Sequence, residues 1–302
     1  MSDLKATVSE IKTSSCHMGF HVEDYERIEY DFTFIDGVFN VENPNLADCY
    51  KKWKRCLAVT DLNIYNIHKT KVGEKAKTIP ALLSIVDSMN EFGIYRKEPV
   101  LVVRGSLVTD VADFACAAYR RNTNFIRIPT TTIGLIDASV SIKVAVNYGS
   151  YKNRLGAYHT PIHTFLDFAF LQTLPTAQIR NGFAELIKIS TCSHLNTFNL
   201  LDKYCEQLID LSSGRAKDSS QELIDAADKI NREGIHEMLK LETPNFHEIG
   251  LDRVIAYGHT WSPLHELVPE TPLRHGHAIS IDMAYSATLA NNRKIISDEE
   301  HR

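Results

Sequence analysis

Short, uninterrupted apolar runs alternate with segments of helical period through the first half of this chain. Cys56-Leu57-Ala58-Val59-Thr60 and Pro99-Val100-Leu101-Val102-Val103 predict strands covered on both faces. Between them, Ile79 to Phe92 places apolar residues at helical spacing and then meets Gly93, a helix stop. A second helix is predicted from Asp110 to Tyr119, with Phe125-Ile126-Arg127-Ile128 as the next strand. Ahead of these, Arg27 to Phe34 alternates polar and apolar residues, the period of an edge or half-buried strand. Strand, helix, strand, helix in this order predicts a parallel sheet with crossover helices.

The second half changes period. Thr164 to Leu174, Asn181 to Cys192, Thr197 to Ile209 and Gln221 to Leu241 are all predicted helices, the last capped within Asp218 to Gln221. The change of pattern falls between Tyr158 and Asn181. We therefore expect an α/β domain over 1–175 and a helical domain over 176–302. Composition acts mainly by exclusion. A chain of 302 residues, 44% hydrophobic and 24% charged, suits two folded soluble domains. A net charge of -5 without a long Lys/Arg run argues against nucleic acid as a partner. No apolar stretch approaches the roughly 20 residues of a membrane span, and Met1-Ser2-Asp3-Leu4-Lys5 lacks a signal-peptide core. The six cysteines, none in a CxxC pair, read as reduced thiols, so the expected compartment is the cytoplasm.

Four segments and two separate histidines carry candidate chemistry. Val100 to Val103 runs into Arg104-Gly105-Ser106 and a helix holding Asp110, a strand-to-helix turn that suits a pyrophosphate but is commonly only a turn. After the strand at Arg127, Pro129-Thr130-Thr131-Thr132 leads to Gly134 and Asp137, where open α/β sheets bind ligands or where hydroxyls simply cap a helix. Lys143, Lys152, Asn153 and Arg154 suit a phosphorylated substrate, although a solvated basic loop is the plainer alternative. Glu185 and Lys188 share a helix face at i and i+3, as an ion pair or a site. With His259 and His275, Glu185 makes one carboxylate and two imidazoles, a common catalytic zinc set. Thirteen histidines also make chance pairings common.

Taken in order, these residues resemble the dehydroquinate synthase superfamily of sugar phosphate cyclases. Asp61-Leu62-Asn63, Gly73 to Lys77, the turn before Asp110, Arg121, Pro129-Thr130-Thr131, Asp137 with Lys143, Lys152-Asn153, Asn181 to Lys188, His259 and His275 follow the family's order from Cys56 to Asp282. Tyr119 to Thr123, Lys152 to His159 and Tyr257 to Pro263 are closer to the sedoheptulose 7-phosphate cyclases. Dehydroquinate synthases usually carry a second histidine where this chain has Pro263. Leu135-Ile136-Asp137-Ala138-Ser139 resembles the desmethyl-4-deoxygadusol-forming branch of mycosporine biosynthesis.

The resemblance implies NAD and Zn2+ (or Co2+) as cofactors, a phosphorylated sugar as substrate and a homodimer. Glu185, His259 and His275 would hold the metal. Asp61, Asn63, Glu74, Lys77, Gly105, Asp110, Thr131 and Thr132 would surround NAD, with Asp137, Lys152, Thr173 and Asn181 on the nicotinamide side. Lys143, Asn153, Lys188, Glu248 and, across a dimer interface, Arg121 would grip the substrate. The implied reaction is redox-neutral: transient oxidation of a ring carbinol, phosphate elimination, re-reduction, ring opening and aldol closure, with a further dehydration in the gadusol branch.

Three departures accompany the likeness. Arg104-Gly105-Ser106 stands for a three-glycine turn, and only Ile64 to Gly73 separates Asn63 from Glu74, where relatives place a helix and a strand. The family's C-terminal helical region, with a further phosphate-binding lysine, is expected to extend past the position of Arg302, so the fold is expected to be incomplete. The alternatives are 2-epi-5-epi-valiolone synthase, 3-dehydroquinate synthase, a metal-dependent polyol dehydrogenase of the same plan, and an inactive cyclase fragment.

Overall fold

The computed structural model describes residues 6–12, 18–60, 77–149, 151–251 and 253–301. Strands β1 (Thr7–Lys12) and β2 (Met18–Glu23) pair as an antiparallel hairpin in a unit of their own, Met1–Tyr30. The second unit, Asp31–Arg302, holds every candidate residue. It begins with β3 (Asp31–Phe34), α1 (Asn45–Tyr50), β4 (Leu57–Thr60), α2 (Ile79–Phe92), β5 (Val100–Arg104), α3 (Ser106–Ala118) and β6 (Phe125–Pro129). A hairpin of β7 (Lys143–Tyr148) and β8 (Tyr151–Tyr158) follows, then β9 (His163–Leu166). The remainder is helical: α4 (Thr176–Ser193), α5 (Leu195–Asp210), α6 (Gln221–Glu242), α7 (Ser262–Leu267), α8 (His275–Asn292) and α9 (Asp298–His301).

Among the described residues, five parallel strands form one sheet in the order β3-β9-β6-β5-β4. Alternation along β5 separates its two faces. Val100 and Val102 pack with Leu82, Met89, Val111 and Ala115 from α2 and α3, whereas Leu101 and Val103 join Val38, Tyr50, Ile126 and Ile128 on the other side. The predicted central strand is thus buried on both faces. β4 is not: among the described residues it is the last strand of the sheet, with Ala58 and Thr60 exposed. β3 lies at the opposite edge, and the strand begins at Asp31 rather than Arg27.

Two predicted segments take a different form. Thr164 to Leu174 is not a helix; β9 enters the sheet between β3 and β6, and a 3₁₀ segment runs from Phe168 to Thr173. A short apolar run such as Thr164-Phe165-Leu166 fits either period, and here sheet pairing decides. The basic segment Ser141 to Gly156 is no loop but the β7–β8 hairpin, with Val144 and Val146 buried and β7 packed on α3.

The helices pack around Phe183, Leu186, Ile189, Leu201, Leu208, Leu223 and Ile230. α6 starts where predicted, the Ser220 hydroxyl accepting from the Leu223 amide at 3.3 Å. Among the described residues no helix is long and apolar enough to cross a membrane. Inside the α/β part, fully buried Arg127 on β6 meets Asp113 of α3 at 2.6 Å and donates to the carbonyls of Ser139 (3.2 Å) and Ser141 (2.8 Å). That guanidinium fastens the connection into β7 to the sheet.

Candidate active-site cleft

A large open cleft lies at the carboxyl ends of β5 and β6, where parallel sheets place ligands. Its α/β wall carries Lys77, Gly105, Asp110, Thr131 and Asp137, and the hairpin adds Lys143, Lys152 and Asn153. The helical wall carries Thr173, Asn181, Lys188, Glu248, His259 and His275. Gly105 opens α3, and a Cβ there would stand 2.7 Å from Thr131 Cγ2, so only glycine lets this turn close under the threonine. The Thr131 hydroxyl in turn accepts from the Gly134 amide at 3.1 Å, ahead of a π-helical turn, Gly134–Ala138, that presents Asp137. Lys77 bonds Asp110 and, at 2.5 Å, Asn153 Oδ1, joining the start of α2 to α3 and the hairpin.

Glu185 is fully buried on α4, beside the cleft-lining His259, His275 and Lys188. Its Oε1 is 2.9 Å from His275 Nε2 and 3.8 Å from His259 Nε2, and its Oε2 is 2.6 Å from Lys188 Nζ. Burial alone would push the Glu185 carboxyl up, but Lys188 and the two imidazoles hold it well below the usual carboxylate range. The same carboxylate outweighs burial at Lys188 and keeps the ammonium raised. His259 is lowered by burial and by the Lys188 charge, while its Nδ1 donates to the Tyr257 carbonyl at 3.1 Å. For His275, burial is overcome by Glu185 and Glu266, which raise it to about 9.

A close helix crossing makes this cluster possible. A Cβ on Gly276 of α8 would lie 1.9 Å from the Asn181 carbonyl oxygen of α4, so glycine sets the approach that brings His275 to Glu185. Asn181 Oδ1 locks the crossing by accepting from the Gly276 amide at 2.6 Å. The three candidate ligand atoms lie within 4.8 Å of one another. Tetrahedral bonds of about 2.0–2.1 Å place neighbouring ligand atoms roughly 3.3 Å apart, and the two carboxylate–imidazole distances of 2.9 and 3.8 Å bracket that span. A zinc-type cation therefore fits this donor set.

Beside it, Lys143 Nζ is 2.9 Å from both Glu242 Oε1 and Glu248 Oε1, and Glu248 also bonds Arg253. Burial would lower the Lys143 ammonium, yet Glu242 and Glu248 raise it. Burial raises Glu242 despite Lys143, and Glu248 is lowered because Lys143 and Arg253 outweigh its burial.

Two candidates stand elsewhere. Thr132 does not line the cleft; it is buried against Gly182 of α4 because the chain turns inward after Thr131. Arg121 is exposed in the turn between α3 and β6, at the end of the sheet away from this chain's cleft. Asp61, Asn63 and Glu74 lie outside the described residues. Glu242, Arg253 and Glu266 were absent from the sequence-derived set. Glu242 and Glu266 meet their lysine partners 99 and 114 residues away, through tertiary packing alone, whereas Arg253 meets Glu248 five residues back.

The family model described as 3-dehydroquinate synthase N-terminal matches residues 67–181, and its C-terminal counterpart matches 182–302. The chain is 48% identical to the demethyl-4-deoxygadusol synthase of Trichormus variabilis, over 97% of this chain and 76% of the relative. It is 33% identical to a 2-epi-5-epi-valiolone synthase of an Actinomyces species, covering 91% and 77%. Among solved structures, the 2-epi-5-epi-valiolone synthase of Streptomyces hygroscopicus subsp. jinggangensis, with NAD+ and Zn2+ bound, superposes with a TM-score of 0.84 at 32% identity, covering 93% of this chain and 80% of that one.

Proposed function

This chain belongs to the 3-dehydroquinate synthase family, and we propose that it is a sedoheptulose 7-phosphate cyclase forming demethyl-4-deoxygadusol. One observation carries the chemistry: Glu185, His259 and His275 converge at the cleft that Gly105 and Thr131 also border. The choice of branch rests on 48% identity to a demethyl-4-deoxygadusol synthase against 33% to a valiolone synthase.

When bound, NAD supplies a hydride acceptor and donor, and Zn2+ or Co2+ supplies a Lewis acid beside the same carbinol. The side chains do the rest. Glu185, His259 and His275 are the proposed metal ligands. Lys77, Gly105, Asp110 and Thr131, with Asp61, Asn63 and Glu74, border the dinucleotide within the 1–175 domain; Asp137, Lys152, Thr173 and Asn181 face the nicotinamide side. Lys143 stays charged between two carboxylates. Two of its three donors are taken there, leaving one for a substrate oxygen. Lys188, also held charged, and Asn153 add further donors to the same cleft. Such fixed cations stabilise the leaving phosphate and developing enolate charge better than mobile water does. Glu248 orients Lys143 and Arg253. In a homodimer, exposed Arg121 serves the other protomer's cleft. The described cysteines are all free, which supports a reducing cytoplasmic setting.

Incubation with sedoheptulose 7-phosphate, NAD and Zn2+ should release inorganic phosphate and yield an ultraviolet-absorbing enone without net NADH. A saturated cyclitol would move the chain to the valiolone branch, and net NADH from a simple polyol would make it a dehydrogenase. A second expectation concerns protons. Metal-free His275 has its pKa raised to about 9, so a cation must displace its proton at neutral pH. Metal affinity should then rise by about tenfold per pH unit below that value. Calorimetric titration of Zn2+ at pH 7, in buffers of different ionisation enthalpy, should report about one proton released; zero release contradicts this.

A further inference from the structure

We propose that Glu266 is a positioning residue of the metal centre: its carboxylate fixes the His275 imidazole and ties it to Lys152, a role that rests on the metal assignment above. A ligating imidazole coordinates through one unprotonated nitrogen, and the partner of the other nitrogen decides which one that is. His275 directs Nε2 to Glu185 Oε1 at 2.9 Å and Nδ1 to Glu266 Oε1 at 3.0 Å. A carboxylate on Nδ1 keeps the proton there, leaves Nε2 for the cation, and makes the ring a stronger donor. Glu266 is not itself a candidate ligand, since it meets the ring on the side facing away from Glu185.

The rest of Glu266 is held just as firmly. It is only 8% exposed, so its charge needs a partner, and Oε2 finds Lys152 Nζ of β8 at 2.6 Å. Burial would raise this carboxyl, but His275 and Lys152 hold it down at about 2. Its short helix is anchored by fully buried Asp282 of α8, whose Oδ2 accepts the amides of Trp261 and, at 2.8 Å, Ser262. One carboxylate thus links the hairpin, α7 and α8. His259 is held differently: among the described residues its Nδ1 meets the Tyr257 carbonyl, a neutral acceptor where His275 has a carboxylate. The two imidazoles are unequal, and His275 is the one whose affinity for a cation depends on a carboxylate bonded to its far nitrogen.

The test is a competition of metal-free protein against a chelator for Zn2+, with the visible spectrum of the Co2+ form as a second readout. Removing an outer partner of a metal-bound histidine typically weakens binding about 10- to 100-fold, which is the loss expected for Glu266→Leu. Glu266→Gln, which keeps an oxygen acceptor, should fall between wild type and Glu266→Leu and alter the Co2+ bands. Should Glu266→Leu fail to fold, Glu266→Gln decides alone: unchanged affinity and an unchanged spectrum overturn the proposal. A folded Glu266→Leu within about threefold of wild type overturns it too. A wild-type protein that binds neither metal refutes the metal centre itself, a different result from wild-type binding that Glu266 does not influence.

Discussion

Replacing Glu185 by glutamine is expected to lower turnover of sedoheptulose 7-phosphate by about 1000-fold, the rate equivalent of the several kcal/mol a Lewis acid supplies. Purified protein should also lose most of its bound metal. Oε1 of Glu185 is the atom on which both imidazoles converge, and an amide oxygen carries no charge to hold a dication among them. The substitution has a second effect, because Oε2 is the counter-ion of buried Lys188. Breaking such a pair from one side costs about 3–5 kcal/mol, so a loss of activity alone would not separate chemistry from folding. Adding Lys188→Met removes the stranded ammonium. That double variant should regain much of the melting midpoint while its metal content and turnover stay low. Wild-type metal content in Glu185→Gln, with turnover reduced less than about tenfold, would remove this carboxylate from the metal centre.

Arg127→Met should destabilise the protein by about 3–5 kcal/mol, read from denaturant midpoints at an unchanged slope. Arg127 and Asp113 are both fully buried, and the guanidinium also carries the carbonyls of Ser139 and Ser141. Methionine fills the volume but leaves a buried carboxyl and two acceptors without their donor. Burial already pushes Asp113 up to about 7 beside the guanidinium. Without that cation the folded-state pKa rises further above its unfolded value. A carboxyl with a raised folded-state pKa loses stability as pH increases, so the deficit of the variant should widen above pH 7. Arg127→Met with Asp113→Leu should recover most of the loss, less about 1–2 kcal/mol for the two carbonyls. The connection to β7 would also loosen, and Lys143, two residues after Ser141, should show it as a raised KM. A single-variant loss below about 1 kcal/mol would mean that water reaches this pair and that it does not brace the cleft.

How legible the site was depends on the range of each contact. Glu185 and Lys188 are one turn apart on α4, and their shared face was readable from spacing. Glu185 and His275 stand 90 residues apart, and only the ordered family motifs joined them ahead of the fold. Lys143 with Glu242, and Lys152 with Glu266, span 99 and 114 residues. No period or cap encodes such pairs. The basic segment from Ser141 to Gly156 shows the consequence: its cations were visible, but the hairpin that aims them and the carboxylates that hold them were not.

From sequence alone came the strand–helix alternation of the α/β part, the helix ending at Gly93, the helical second half and the residues able to hold a cation, because apolar period and residue chemistry are local properties. Tertiary structure decided that Ala58 and Thr60 of β4 are exposed, that Thr164 to Leu166 belongs to the sheet, that Thr132 is buried, and that Gly276 lets α8 approach α4 closely enough for His275 to reach Glu185. Period tells which positions are apolar but not what covers them, and a short apolar run is turned into helix or strand only by the surface it meets.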